Sequence, residues 1–306
     1  MKKVLLSMLF AAVCLGMSAQ TETQPNTVNQ EDRNYAIYAR VASKLLPQAG
    51  NMSMNELMIK VALEFLGTDY LWASLETVPE RLHVYLDKTD CILFVEMTTC
   101  FALTLKGYRI VQAGDGEHYA LRPTPSVERV TPCYETLCDN IRNMRYRLGV
   151  VDGYSSRVHY TSEWILQNQT NGIMREISKD LGEEVEQPFY YMSMHPKTYF
   201  QLLDDPCELG RIRMMEERLT AQNPYYFVSQ EQLRKKEIMD QIQSGDIITF
   251  MDTHPGLDLA HVALAYRLEN GEMHFIHASY GKKKVVIEDK SLADYAKNGI
   301  RVIRPF

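Results

Sequence analysis

The stretch Lys88-Thr89-Asp90-Cys91-Ile92-Leu93-Phe94-Val95-Glu96 opens an apolar run that continues to residue 105. A run of that length and composition predicts a buried helix. Thr89 or Asp90 is a suitable N-cap, which puts Cys91 in the first turn. Unpaired backbone N–H groups and the positive end of the helix dipole favour a thiolate there, the reactive form of cysteine. The competing reading is a buried cysteine acting as a small hydrophobe. Cys100 falls on roughly the opposite helix face from Cys91 and reads as core. Glu96 lies outside the helical stripe of Cys91 and reads as a structural ion-pair partner rather than an acid catalyst.

N-terminal to this run, Tyr35 to Leu46 and Asn55 to Leu66 carry apolar residues at helical spacing, with Gly67 as a stop. Residues 20–33 are polar and read as unstructured. C-terminal to it lies a long mixed segment, about 106–228. It holds strand-like runs at Tyr108 to Gln112 and His118 to Arg122, and helical patterns near 131–146, 161–169 and 207–219. Ser229-Gln230-Glu231-Gln232 is a capping box, predicting a helix that ends at Gly245. Beyond it the period changes to that of strands: Asp246 to Phe250, Ala260 to Arg267, Met273 to Ser279 and Lys284 to Glu288, then a short helix at Ser291 to Lys297 and a strand at Arg301 to Arg304. Helices first and an antiparallel sheet afterwards make an α+β chain. The expectation is one catalytic domain, residues 20–306, with an insertion at about 106–228.

A nucleophilic cysteine needs a base, usually histidine, near in space rather than in sequence. His261 begins one strand and His277 lies in the next, joined by Glu269-Asn270-Gly271. Register decides whether they meet. A two-residue turn would pair 261 with 280 and put the histidines on opposite faces. A three-residue loop with Gly271 left-handed pairs 261 with 279, and His277 then sits diagonally on the same face, within about 7–8 Å. The three-residue loop is the expectation. His274 then points to the other face. A metal at His254, Asp258 and His261 was weighed and set aside, because Pro255-Gly256 reads as loop and no zinc spacing is present. No metal and no cofactor is implied.

Composition bounds the rest. The 306 residues include 33 Lys+Arg and 39 Asp+Glu, a net charge of −6, with 45% hydrophobic residues and six cysteines. This is a globular composition; it excludes a disordered chain and a disulfide scaffold, and its acidic balance argues against a nucleic-acid partner. Met1-Lys2-Lys3, the apolar Val4 to Met17 and the small pair Ser18-Ala19 read as a signal peptide over residues 1–19. Cys14 follows Ala11-Ala12-Val13, a poor lipidation box, so a lipoprotein is disfavoured. The expected location is outside the cytoplasm, periplasmic or extracellular. Without Lys2 and Lys3, 31 basic and 39 acidic residues give −8. No later segment has 18 consecutive apolar residues, so no membrane span is expected. Cys91, Cys100, Cys133, Cys138 and Cys207 remain, an odd number that leaves at least one thiol unpaired within the chain. Pairing among Cys133, Cys138 and Cys207 stays open.

Five fragments fall in a familiar order: Gly67-Thr68-Asp69-Tyr70-Leu71-Trp72, Asp90-Cys91, Gly245-Asp246-Ile247-Ile248, His261-Val262-Ala263-Leu264-Ala265-Tyr266 and Phe275-Ile276-His277-Ala278. Together they resemble the NlpC-type papain-like cysteine hydrolases of bacterial cell walls. Thr89 to Glu96, Pro255 to His261 and Ser291 to Tyr295 look like the exported amidase-like branch with a long central insertion. The resemblance implies a papain-like α+β fold with the nucleophile at a helix N-terminus packed on an antiparallel sheet. It implies Cys91 as nucleophile, His261 as base, His277 as the orienting third residue, and Tyr70 at the oxyanion or substrate. The implied substrate is peptidoglycan or a muropeptide. The implied activity is N-acetylmuramoyl-L-alanine amidase, with a γ-D-glutamyl-diamino acid endopeptidase and a catalytically silent wall-binding protein as alternatives. Two departures stand out: Ile92-Leu93 where the superfamily has Ser-Gly, and Ala73-Ser74 where it has Gly-Gly. In the insertion, Tyr160, Trp164, Tyr190, Tyr191 and Tyr199 are candidates for sugar or peptide contact, and Arg157, Arg211 and Arg213 for carboxylates.

Overall fold

A computed structural model describes residues 29–112, 119–123 and 132–306. The signal peptide, Cys14 and His118 lie outside the described residues.

Helix α1 spans Gln30–Ala49 and begins where the Asn29 side chain accepts from the Asp32 N–H at 2.8 Å. It starts earlier than its apolar stripe suggests, so residues 30–33, read from composition as unstructured, are helical: a cap, not hydrophobicity, sets this end. Helix α2 (Met54–Glu64) carries a complete capping box, Ser53 with Glu56. Helix α3 (Cys91–Leu105) is buried at every residue from Leu93 to Leu105. It packs on α1, α2, the helix Tyr134–Arg145 and the sheet.

The main sheet holds eight strands in the order β2 (Lys88–Thr89), β1 (Asp69–Tyr70), β11 (Lys284–Ile287), β10 (Met273–Ser279), β9 (Leu259–Arg267), β8 (Ile247–Met251), β12 (Ile300–Pro305) and β5 (Met174–Glu176). All its pairs are antiparallel except β1 with β2. The fold is therefore α+β with a mixed sheet. One face carries Val262, Leu264, Ile276 and Ala278 onto the core around α3. The other carries Ala263, Ala265, Met273 and Phe275 onto a second core with Val228, Leu292 and Ile300. A sheet covered on both faces explains why its central strands are almost continuously apolar.

The segment 106–228 is tied into this frame. It supplies β5 as an edge strand against β12, and Val228 bridges to Ile300. It also carries two small ribbons, β3 (Tyr108–Gln112) with β4 (Tyr119–Pro123), and β6 (Glu183–Val185) with β7 (Tyr225–Phe227). One expectation fails. The capping box at Ser229 forms, but the helix it opens stops at Leu233, and a second short helix runs over Lys236–Met239. Lys235 between them is extended, and the Arg267 guanidinium takes the carbonyls of Met239 and Ile242 that a longer helix would have needed for itself.

The expected ion pair of Glu96 is present. Its carboxylate accepts from Nε of Arg145 at 2.8 Å, and Arg145 also donates to the His83 carbonyl. Both side chains are almost wholly buried. Removing one member leaves the other charge stranded away from water. Arg145→Ala should therefore cost about 3–5 kcal/mol of folding free energy, measured as a lower urea midpoint; an unchanged midpoint would refute this account.

Candidate active site

Asp90 closes the N-terminus of α3, its Oδ1 accepting from the Leu93 N–H at 2.9 Å. Ser74 donates to the other carboxylate oxygen. Cys91 is thereby the first helical residue, half-buried at the foot of the sheet. The backbone N–H groups of Val262, Ile92 and Cys91 itself act on the sulfur to favour its anionic form. Burial outweighs them, and the neighbouring Asp90 adds to it, so the thiol is pushed up to about 12. The helix terminus alone pointed to a ready thiolate; its setting makes the resting group a neutral thiol.

The hairpin between β9 and β10 has the expected three-residue loop. Arg267 pairs with Met273, Leu268 donates to Glu272 at 2.8 Å, and Gly271 sits at φ +90°. The diagonal placement follows: Nε2 of His261 and Nδ1 of His277 are 2.6 Å apart. A bulge sharpens the aim of His261. Phe250 pairs with His261 while Met251 pairs with Leu259, so Ala260 is the extra residue just before the histidine. The His261 ring lies on Phe250, and His277 lies among Phe275 and Tyr295. Burial pushes His261 down to about 3, helped by His277, and His277 down to about 4, helped by Lys282. Since Nε2 of His261 is taken by His277, Nδ1 is the nitrogen left for another partner. Val262, whose N–H acts on Cys91, follows His261 directly.

Tyr70 ends β1 beside this centre. Its hydroxyl is held well above the usual range by burial, then by Cys91 and Asp90, so it stays protonated and can donate. Its ring meets Tyr280 edge-on at 5.5 Å, and Trp72 lies 5.2 Å from Tyr280. Trp72 is 45% and Tyr280 37% exposed, and Nζ of Lys283 sits 3.3 Å from the Tyr280 ring centre. This aromatic surface was not singled out from sequence, although Trp72 stands in the quoted motif.

Other expectations are redistributed. His274 faces away from the pair, its Nδ1 on the Glu288 carbonyl at 2.9 Å. Tyr160 and Trp164 are buried core residues, and Arg157 is buried with Glu76 and Glu80. These three are structural because the insertion needs its own core. Arg211 pairs with Glu208, and Arg213 is exposed. Tyr191 stacks on His195, and Tyr190 packs over Gly256, where an added Cβ would meet its ring at 2.8 Å. His254 binds Asp252, and Asp258 accepts from the Ser162 and Leu259 N–H groups, so His254, Asp258 and His261 serve separate partners. Among the described residues no cluster of His, Cys, Asp or Glu is arranged to hold a metal. Cys91, Cys100, Cys133, Cys138 and Cys207 are all free thiols. Missed altogether from sequence was Glu288, whose Oε2 lies 3.3 Å from Nε2 of His277. The alternation that aligned the histidines could have found it. Glu288 donates its N–H to Phe275, which places it diagonally from His277 on the same face.

A family model described as AmiA-like, N-acetylmuramoyl-L-alanine amidase-like, matches residues 60–301. The chain belongs to the AmiA-like family. This AmiA-like chain is similar to the crystal structure of an N-acetylmuramoyl-L-alanine amidase from Bacteroides uniformis, with 28% identity over 82% of this chain and 98% of that one, at a TM-score of 0.70. It is also similar to a candidate xylanase from Bacteroides fragilis, with 29% identity, 80% and 99% coverage and a TM-score of 0.66. A Legionella pneumophila protein of family DUF1460 shares the fold at 20% identity, 92% and 97% coverage and a TM-score of 0.59. No curated protein sequence matches. Among the described residues of this AmiA-like chain, no helix is long and apolar enough to cross a membrane.

The raised thiol gives a measurable signature. Alkylation of Cys91 by iodoacetamide, read by mass spectrometry of its peptide, should be slow at pH 7 and still climbing above pH 9. A plateau reached below pH 7 would mean a stabilised thiolate and refute the neutral resting state.

Proposed function

We propose that this AmiA-like protein is an exported cysteine hydrolase of peptidoglycan, cutting the amide between the lactyl group of N-acetylmuramic acid and L-Ala. The observation that carries the reading is the His261–His277 pair held at 2.6 Å beside the Val262 N–H that acts on Cys91. A xylanase would need two facing carboxylates flanking a glycosidic bond. The centre here is a thiol with two imidazoles. The arrangement is papain-like, and residues 20–306 act as one catalytic domain with the 106–228 insertion built into it. Residues 1–19 direct export to the periplasm or the exterior.

In the proposed reaction, Nδ1 of His261 takes the thiol proton as the sulfur attacks the amide carbon. The Cys91 N–H and the Tyr70 hydroxyl steady the oxyanion. His261 then passes its proton to the leaving nitrogen of L-Ala, leaving a thioester. Water, deprotonated by His261, attacks that thioester, and the proton returns to sulfur as the lactyl carboxyl departs. His277 holds the ring of His261 throughout. The high thiol and low imidazole values suit this concerted course, because neither charge needs to exist before substrate arrives. Trp72 and Tyr280 suit the apolar face of a sugar ring next to the scissile bond. That favours the amidase over an endopeptidase, whose bond lies farther along the stem peptide.

Muropeptides incubated with wild type and with Cys91→Ala, then analysed by mass spectrometry, test the proposal. Free sugar chains with intact peptide, produced by wild type and not by Cys91→Ala, are expected. Shortened stems would replace the amidase with the endopeptidase, and retained binding without turnover would make the protein a silent binder. Trp72→Ala should raise KM about tenfold or more with kcat nearly unchanged, since stacking of this kind contributes about 1–3 kcal/mol. An unaltered KM would remove Trp72 from the substrate site.

A further inference from the structure

Both imidazoles are uncharged at neutral pH, chiefly because burial strips water from them. A neutral imidazole has one proton and two nitrogens to hold it. The contact between Nε2 of His261 and Nδ1 of His277 therefore admits two arrays. In the first, His261 carries its proton on Nε2 and donates it to a bare Nδ1 of His277. Nδ1 of His261 is then a lone pair able to take the thiol proton, and His277 carries its own proton on Nε2. In the second, His277 donates from Nδ1 and His261 carries its proton on Nδ1. That form is useless as a base toward Cys91, and it leaves Nε2 of His277 bare.

What stands beside Nε2 of His277 decides between them. Oε2 of Glu288 lies 3.3 Å away, with both side chains buried, and Nε2 has no well-aligned hydrogen-bond partner. A carboxylate can only accept. A bare nitrogen facing it would oppose two lone pairs where little water screens them. The other groups around Glu288 keep its carboxylate in place. Lys282 Nζ is 3.6 Å from the same oxygen and 2.7 Å from Asp289, and the Lys290 N–H approaches Oε1 at 3.4 Å. Tyr295, kept protonated by burial, closes the far side of His277.

We propose that Glu288 is a positioning residue that fixes the tautomer of His277 and, through it, that of His261, leaving Nδ1 of His261 bare toward Cys91. Glu288 touches no reacting atom. The proposal rests on the Cys91–His261 reading of the centre and not on the identity of the substrate. An amide in place of the carboxylate can accept or donate, so Glu288→Gln removes the selection. The Lys282 ammonium, no longer held by Glu288, could then donate to Nε2 and favour the second array.

Nitrogen-15 NMR of the full chain with labelled histidine tests this, with His261→Gln serving only to assign the resonances. Wild type should show Nδ1 of His261 unprotonated and Nε2 protonated. Glu288→Gln should show a mixture or the reverse. Its kcat on muropeptides should fall by about 10–100-fold with KM little changed, and Glu288→Asp should restore the wild-type tautomer and most of kcat. A wild-type spectrum with the proton on Nδ1 overturns the proposal, whether or not the Gln variant folds. So does a Glu288→Gln protein with unaltered tautomer and kcat. A wild type that turns over no muropeptide yet shows the bare Nδ1 supports the tautomer assignment while sinking the amidase reading.

Discussion

A helix with no exposed face has nowhere to hide its first four N–H groups except inside the protein, and α3 is such a helix. Asp90 meets this demand by accepting from Leu93, and Ser74 in turn holds Asp90. The rest of the centre is referenced to that junction. β2 ends at Thr89, pairs with Tyr70 of β1, and so brings the Tyr70 hydroxyl alongside the first helical residue. The same carboxylate that starts the helix raises the thiol it presents. Structural and chemical roles are thus carried by one side chain, and the two pull in different directions.

The sheet solves a second problem, that of placing a base. Its face bearing Ala263, Ala265 and Phe275 belongs to the second core, and His261 and His277 share that parity. Burying two imidazoles there is tolerable because they remain uncharged and satisfy each other. The bulge at Ala260 lies where β9 leaves the regular ladder, and the histidine that must reach the thiol is the residue after it. Gly271 at φ +90° in the hairpin loop sets the register on which all of this depends.

Much of this architecture was legible because it is local. The change from helical to strand period, the caps at Ser53 and Ser229 and the odd hairpin loop each follow from a few neighbouring residues. The diagonal histidine pair followed from register alone. What could not be read is what depends on distant partners. The break after Leu233 reflects Arg267 taking carbonyls from another segment. The sheet edge β5 comes from the insertion, whose aromatics were ambiguous until Tyr160 and Trp164 proved to be its core. Thiol reactivity was misjudged for the same reason: a helix terminus is visible in sequence, whereas the burial that opposes it is not.

That burial has a consequence for survival outside a reducing compartment. Thiol–disulfide exchange and oxidation to sulfenic acid both proceed through the thiolate. A sulfur pushed up to about 12 offers almost none of it at rest. Cys207, exposed near the start of its own helix, is the thiol that small oxidants and disulfides meet first. The nucleophile is protected by its own reluctance to ionise, and the protein needs no disulfide and no lid to keep it reduced between turnovers.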